Sequence, residues 1–161
     1  MEKKILLLGD KRLYQYSESV TENEIEYIRE IVQDLHDTMM AFREKYGVGR
    51  AIAAPQIGIF KRIIYMHIDK PVVMLNPVLK FNNNEMMEVM DDCMSFPSLL
   101  VKVLRYRKCT LEYYDMHWNL NTMELSDNLS ELIQHEYDHL DGILATMKAI
   151  DKKSFFIKEH R

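Results

Sequence analysis

The chain has 161 residues, of which 47% are apolar and 29% charged, the balance of a folded globular protein with a real core rather than of a disordered one. Its longest apolar runs fall well short of the roughly 18 residues that a bilayer crossing needs. A formal net charge of −4 argues against a general nucleic-acid binder, which presents a basic face to phosphates.

No repeat, low-complexity stretch or linker interrupts the sequence, so residues 1–161 read as one domain. Residues 1–9 place two lysines before Ile5-Leu6-Leu7-Leu8. That run is shorter than the roughly 7–15 residues of a secretory core, and a small-residue cleavage pattern is missing. The segment reads as a first β-strand and the protein as cytoplasmic, where Cys93 and Cys109 stay unpaired. The twelve methionines read as fillers of irregular core gaps.

Thr21-Glu22-Asn23-Glu24 has the form of a capping box. Behind it Ile25, Ile28, Val32, Leu35, Met39 and Phe42 recur at helical spacing until Gly47, which predicts an amphipathic helix over 22–46. A run of small residues, 47–58, follows and holds one amide, Gln56. Strands are predicted over 62–68, 72–75, 78–81, 99–104 and 109–114, punctuated by Pro71, Asn76-Pro77 and Asn82-Asn83-Asn84. A second helix is predicted over 126–140, capped by Ser126 or Asp127 and stopped by Gly142. The order predicts an α+β fold, mostly antiparallel sheet packed around the second helix.

That helix carries His135-Glu136-Tyr137-Asp138-His139. Residues four apart share a helix face, so two imidazoles reach one divalent metal ion, and Glu136 stands beside them as a proton acceptor. Leu132, Ile133 and Leu140 around the motif turn the histidines inward. A catalytic site of this kind takes a third protein ligand. Downstream, Ala145 occupies the position where a further histidine would be needed, and Glu159 is an available distant carboxylate two residues from the end of the sequence; upstream, Cys93 offers a soft thiolate suited to Zn²⁺ or Fe²⁺. Alone, Cys93 would read as a small buried apolar residue, as Cys109 does in its strand. His36, His67, His117 and His160 have no ligand spacing and read as structural or surface groups.

Three segments together, Gly49-Arg50-Ala51-Ile52-Ala53-Ala54-Pro55-Gln56, Asp91-Asp92-Cys93-Met94-Ser95 and His135 to His139 continuing into Leu140-Asp141-Gly142, resemble in order the three motifs of the peptide deformylases. The resemblance spans almost the whole chain. It implies a peptide deformylase-like fold and a metallo-amidase that removes the formyl group from formyl-methionyl peptides. It also implies that Cys93, His135 and His139 hold one Fe²⁺ or Zn²⁺, with Ni²⁺ or Co²⁺ as substitutes, leaving a position for water. Glu136 would move the proton, and the Gln56 amide with the Met94 backbone N–H would receive the oxyanion. Gly49, Arg50, Ala51, Val89, Asn128, Glu131 and Leu132 are the substrate-pocket residues that the resemblance implies.

The chain departs from that pattern at particular places. Ala51 and Asp92 replace glycines, which often mark left-handed backbone or close approach. Asp91 replaces a glutamate, with Arg105 as its candidate partner. Arg50 and Glu131 replace aliphatic residues, and a charged pair between them would not welcome a thioether. The alternatives are an amidase for another small N-formyl or N-acyl amine, and a weakly active metal-binding paralogue. Partners implied are an N-formylated peptide and a transient contact with the ribosome through Lys148, Lys152, Lys153, Lys158 and Arg161, residues that otherwise read as solvated. No membrane or specific nucleic acid is implied, and oligomeric state has no sequence signal.

Overall fold

The apolar stripe after Thr21 forms a short 3-10 turn, Glu22–Glu24, and then helix α1, Ile25–Tyr46, in a computed structural model that describes residues 1–159. His160 and Arg161, read above as a surface histidine and part of a basic tail, lie outside the described residues. The Glu24 carboxylate accepts the Thr21 backbone N–H at 2.9 Å, and Gly47 ends α1 in the left-handed conformation at φ 74°. Ile28, Ile31, Leu35 and Met39 are buried along one side of the helix.

Eight strands follow: β1 (Ala51–Ala53), β2 (Ile63–His67), β3 (Pro71–Lys80), β4 (Met86–Asp91), β5 (Leu99–Tyr106), β6 (Lys108–Tyr114), β7 (Leu120–Ser126) and, after the second helix, β8 (Phe155–Ile157). They form a sheet ordered β1-β2-β3-β6-β7 and a smaller one ordered β4-β5-β8, with every strand pairing antiparallel. Helix α2, Asn128–Leu140, packs on β1 and β7 of the larger sheet and on β5 of the smaller. The expected α+β architecture, antiparallel sheets with a long N-terminal helix, is what the chain adopts.

Four details differ from the sequence reading. Residues 1–9 are not a strand: Leu6 donates its N–H to Gln56 and Leu8 to Ser95, each at 2.8 Å, so the segment ties two different loops and builds no ladder. Asn76-Pro77 does not divide β3 in two. Asn76 sits at φ 49° in a register shift between Leu75 and Val78, held by two bonds to the backbone of Val20, and a bulge is where a strand tolerates proline. Strands β1, β4, β7 and β8 were not foreseen. Finally, neither Ser126 nor Asp127 caps α2 with its side chain. Ser126 completes β7, and the Asp127 carboxylate accepts from Arg107 at 2.8 Å.

The other end of α2 is better held. Arg62 donates to the Leu140 carbonyl at 3.1 Å and to the Asp141 carboxylate at 2.8 Å, and Ser17 donates to the same carbonyl at 2.9 Å. A cation at a helix C-terminus satisfies orphan carbonyls and opposes the helix dipole. Both cysteines are free and buried. Among the described residues no helix is long and apolar enough to cross a membrane.

Candidate metal centre and its cavity

One turn of α2 separates His135 from His139 and brings their Nε2 atoms within 3.3 Å of each other. The loop that leaves β4 delivers Cys93, whose Sγ lies 3.3 Å from His139 Nε2. All three residues are buried, and their ligand atoms lie within 4.8 Å of one another. One thiol and two imidazole nitrogens converging in a buried space fit a divalent transition metal. Cys93 is thus the candidate third donor; Glu159, the carboxylate also open on sequence, is not in this group.

The surroundings fix how these groups are presented. His135 Nδ1 lies 3.0 Å from Asp91 Oδ2 and donates to it, so Nε2 is left as the ligand atom. Arg105 donates to Asp91 at 2.7 Å and to Asp138 at 2.6 Å. Burial alone would raise the Asp91 carboxyl, but His135 and Arg105 outweigh it and hold it at about 2. The shorter side chain at position 91 therefore still reaches Arg105. Burial lowers His139, and the neighbouring His135 lowers it further; on His135 itself burial is outweighed by Asp91 and Cys93, which raise it.

Glu136 is 3% exposed and its Oε2 has no hydrogen-bond partner. Burial raises its carboxyl to about 7, with Asp91 adding to the rise and His135 opposing it. Gln56 stands on a 3-10 turn, Ala54–Ile57. Its Oε1 accepts the Ala53 backbone N–H at 3.0 Å, which turns Nε2 toward Ser95 Oγ at 3.2 Å and Cys93 Sγ at 3.5 Å. The Ser95 backbone N–H also points at Cys93 Sγ, at 3.4 Å.

Cys93, His135 and Glu136 open onto a cavity of about 600 Å³. Gly49, Arg50 and Ala51 line it from the β1 side, Met94 from the metal loop, and Glu131 and Leu132 from α2. Gln56 and His139 lie deeper, behind that lining. Gly49 has φ 134°, and a Cβ there would stand 3.0 Å from the Met94 methyl, so glycine is required. Ala51 and Asp92 are not among the residues of positive φ, and their replacement of glycine introduces no backbone strain.

Two residues expected in the pocket are absent from its lining. Val89 packs instead against the cluster of Cys93, Phe96, Val101 and Val103, and Asn128 is exposed at the start of α2. Conversely, Arg43, His67 and Lys158 line the cavity without having been singled out for it. His67 comes from β2, and Lys158 reaches back from beyond β8 to Asp92 at 2.9 Å. Ser95 and Asp138 were also missed as supports of the centre. Asp138 had a signal, since it lies three residues after His135 on the same turn of α2.

Residues 2–155 match the family model described as polypeptide deformylase. A peptide deformylase of Pseudothermotoga lettingae is 37% identical over 144 residues, 89% of this chain and 81% of that protein. The crystal structure of peptide deformylase from Thermotoga maritima superposes with a TM-score of 0.85 at 26% identity, covering 94% of this chain and 99% of that one. A class I type b peptide deformylase from Acinetobacter baumannii, solved with Met-Ala-Ser bound, gives 0.83 at 25% identity over 92% and 98%. With the family model matched over residues 2–155 and a relative 37% identical over most of both chains, the chain belongs to the polypeptide deformylase family.

Proposed function

We propose that this protein is a metal-dependent hydrolase that removes the N-formyl group from formyl-methionyl peptides, releasing formate and a free α-amine. The observation that carries the reading is Glu136: a buried carboxyl with an unpartnered oxygen, set between two histidines that converge with a thiol. A relative that crystallises with Met-Ala-Ser, a peptide with a free amino-terminal methionine, supports a product of that kind.

Cys93, His135 and His139 would hold the ion, Fe²⁺ or Zn²⁺, both of which suit one thiolate and two imidazoles. When bound, such an ion polarises a carbonyl oxygen and makes water acidic near neutral pH. The chain's own groups perform the rest. Glu136, with its carboxyl near 7, accepts the proton of the attacking water at Oε2 and delivers it to the departing amine nitrogen. The Gln56 amide, aimed by the Ala53 N–H, donates to the oxygen that gains charge, together with the Met94 backbone N–H. Asp91 keeps His135 in the tautomer that ligates. The chain carries both Glu136 and Gln56, which supports an active enzyme over a non-catalytic relative.

The test is formate release from formyl-Met-Ala-Ser by the protein loaded with Fe²⁺ or Zn²⁺, against Glu136→Ala. The variant is expected to lose at least 10²-fold in kcat, about the contribution of a positioned acid–base group. No release above the Glu136→Ala background sinks the reading.

A further inference from the structure

Arg50 and Glu131 meet on the wall of the cavity onto which Cys93 and His135 open. Arg50 Nη2 donates to Glu131 Oε1 at 3.2 Å, with the Arg50 side chain 43% exposed and that of Glu131 13% exposed. Glu131 stands four residues before His135 on α2, about 6 Å along the helix axis, which is the reach of an extended methionine- or lysine-sized side chain. A substrate held at the metal centre by its formyl group therefore brings the end of its first side chain to this pair.

The two partners are not equally free. Arg50 is half in water and makes one bond to the acid, so it can leave at small cost. Glu131 is largely withdrawn from water, and without Arg50 its carboxylate would be left buried and unpaired. A thioether that enters here either displaces Arg50 and strands the carboxylate, or stops short and leaves the pair intact. A side chain that ends in an N–H donor replaces the lost bond. Of the other acids on the wall, Asp91 is engaged by Arg105 and Asp92 by Lys158, and Glu136 stands beside the metal ligands rather than one helical turn away.

We propose that the Arg50–Glu131 pair makes this site selective for formylated peptides whose first side chain ends in a hydrogen-bond donor, a cationic one above all, so that formyl-lysyl and formyl-glutaminyl peptides are turned over faster than formyl-methionyl ones. The inference rests on the deformylase reading and names the side-chain class that the same site takes best. A site built around a buried polar group discriminates strongly against a ligand that leaves that group unsatisfied.

The experiment measures kcat/KM for formate release from formyl-Xaa-Ala-Ser peptides with Met, Leu, Gln or Lys first. The wild-type protein is expected to favour Lys and Gln over Met by about tenfold or more, the scale of one hydrogen bond to a charged group. Glu131→Leu should abolish that preference, and Arg50→Ile with Glu131→Leu should reverse it toward Met. Should Glu131→Leu fail to fold, the isosteric Glu131→Gln should cut the preference for the lysyl peptide by about the same factor. Calorimetry on the metal-free protein supplies a second readout, in which Lys-Ala-Ser should bind more tightly than Met-Ala-Ser. A preference for Met in the wild type, unchanged in these variants, overturns this inference and leaves the deformylase reading standing. Formate from none of the peptides overturns both.

Discussion

The Asp91 carboxylate and the Arg105 guanidinium meet at 2.7 Å with side-chain exposures of 4% and 1%. The same guanidinium holds Asp138 at 2.6 Å, so one buried cation ties the end of β4, which feeds the metal loop, to the helix that carries both histidines. Asp91 passes this order on by accepting from His135 Nδ1.

Removing the cation should therefore cost more than a usual core substitution. Arg105→Met leaves two carboxylates buried without their partner, and breaking a buried pair in this way costs about 3–5 kcal/mol. Lys148, 3.1 Å from Asp138, relieves only one of them. Arg105→Lys should recover part of the loss. Guanidinium-chloride unfolding of the three proteins measures it, and a loss for Arg105→Met under about 1 kcal/mol would contradict the arrangement.

Asp91→Asn separates support of the ligand from support of the fold. Arg105 keeps Asp138, so folding should be retained, while His135 loses a charged acceptor behind its ligating nitrogen. Metal affinity is expected to fall about 10–100-fold, as for other partners of ligating histidines. Competition with a chelator reads the effect, and unchanged affinity would show that Asp91 does not position His135.

The metal helix was legible because two residues four apart must share a face, whatever the fold. Cys93 was legible only in company: a lone cysteine looks like a core residue, and only the fold brings β4 and its loop against α2. The pocket was less readable. In β4 the inward positions are Met87, Val89 and Asp91, so Val89 follows its neighbours into a small core cluster, while the exposed Met90 faces the cavity. Strand β4 itself was missed because Met-Met-Glu-Val-Met-Asp, with every residue but Asp91 at least partly in water, holds a single branched residue, Val89, and no aromatic one to mark a strand. The backbone at Ala51 and Asp92 needs no glycine, which local sequence could not reveal.

Gly142 tests how closely the N-terminal segment is seated on the end of α2. It has φ 73°, and a Cβ there would lie 2.3 Å from the Tyr14 carbonyl oxygen, a backbone atom that moves only with its whole turn. Gly142→Ala should lose the roughly 1–2 kcal/mol of a left-handed alanine and more for the clash. Gly9→Ala is the control. It also has positive φ, but its Cβ meets nothing within 4 Å, so it should suffer the conformational loss alone. Equal melting temperatures for the two variants would refute the close approach.

The start of α1 should show a pH dependence of known sign. Glu24 is lowered from its ordinary value, first by the bond from the Thr21 backbone N–H and further by Lys61 at 3.1 Å, against a smaller effect of burial. Its folded pKa lies below the unfolded one, so its stabilisation is complete above the usual glutamate range and disappears as pH falls through the folded value. Glu24→Ala should thus be less stable than wild type by about 1 kcal/mol at pH 7, and the difference should shrink as pH falls below about 4.3. A difference that grows on acidification would reverse the assignment.

Gln56 offers the sharpest separation of shape from chemistry. Its Oε1 is committed to the Ala53 N–H, so the atom facing Cys93 Sγ and Ser95 Oγ is the donor nitrogen. Gln56→Glu preserves the size of the side chain and the bond from Ala53, yet sets a carboxylate oxygen where the donor stood. Charge developing on the substrate oxygen would then meet repulsion in place of a hydrogen bond. Gln56→Ala only removes the donor, which elsewhere costs about 10²–10³ in kcat. The glutamate variant should lose at least as much as the alanine variant, with KM for formyl-Met-Ala-Ser little changed in either and metal content preserved in Gln56→Ala. If Gln56→Glu keeps kcat within a few-fold of wild type, the amide is a structural brace for the 3-10 turn, and the oxyanion finds its donor elsewhere.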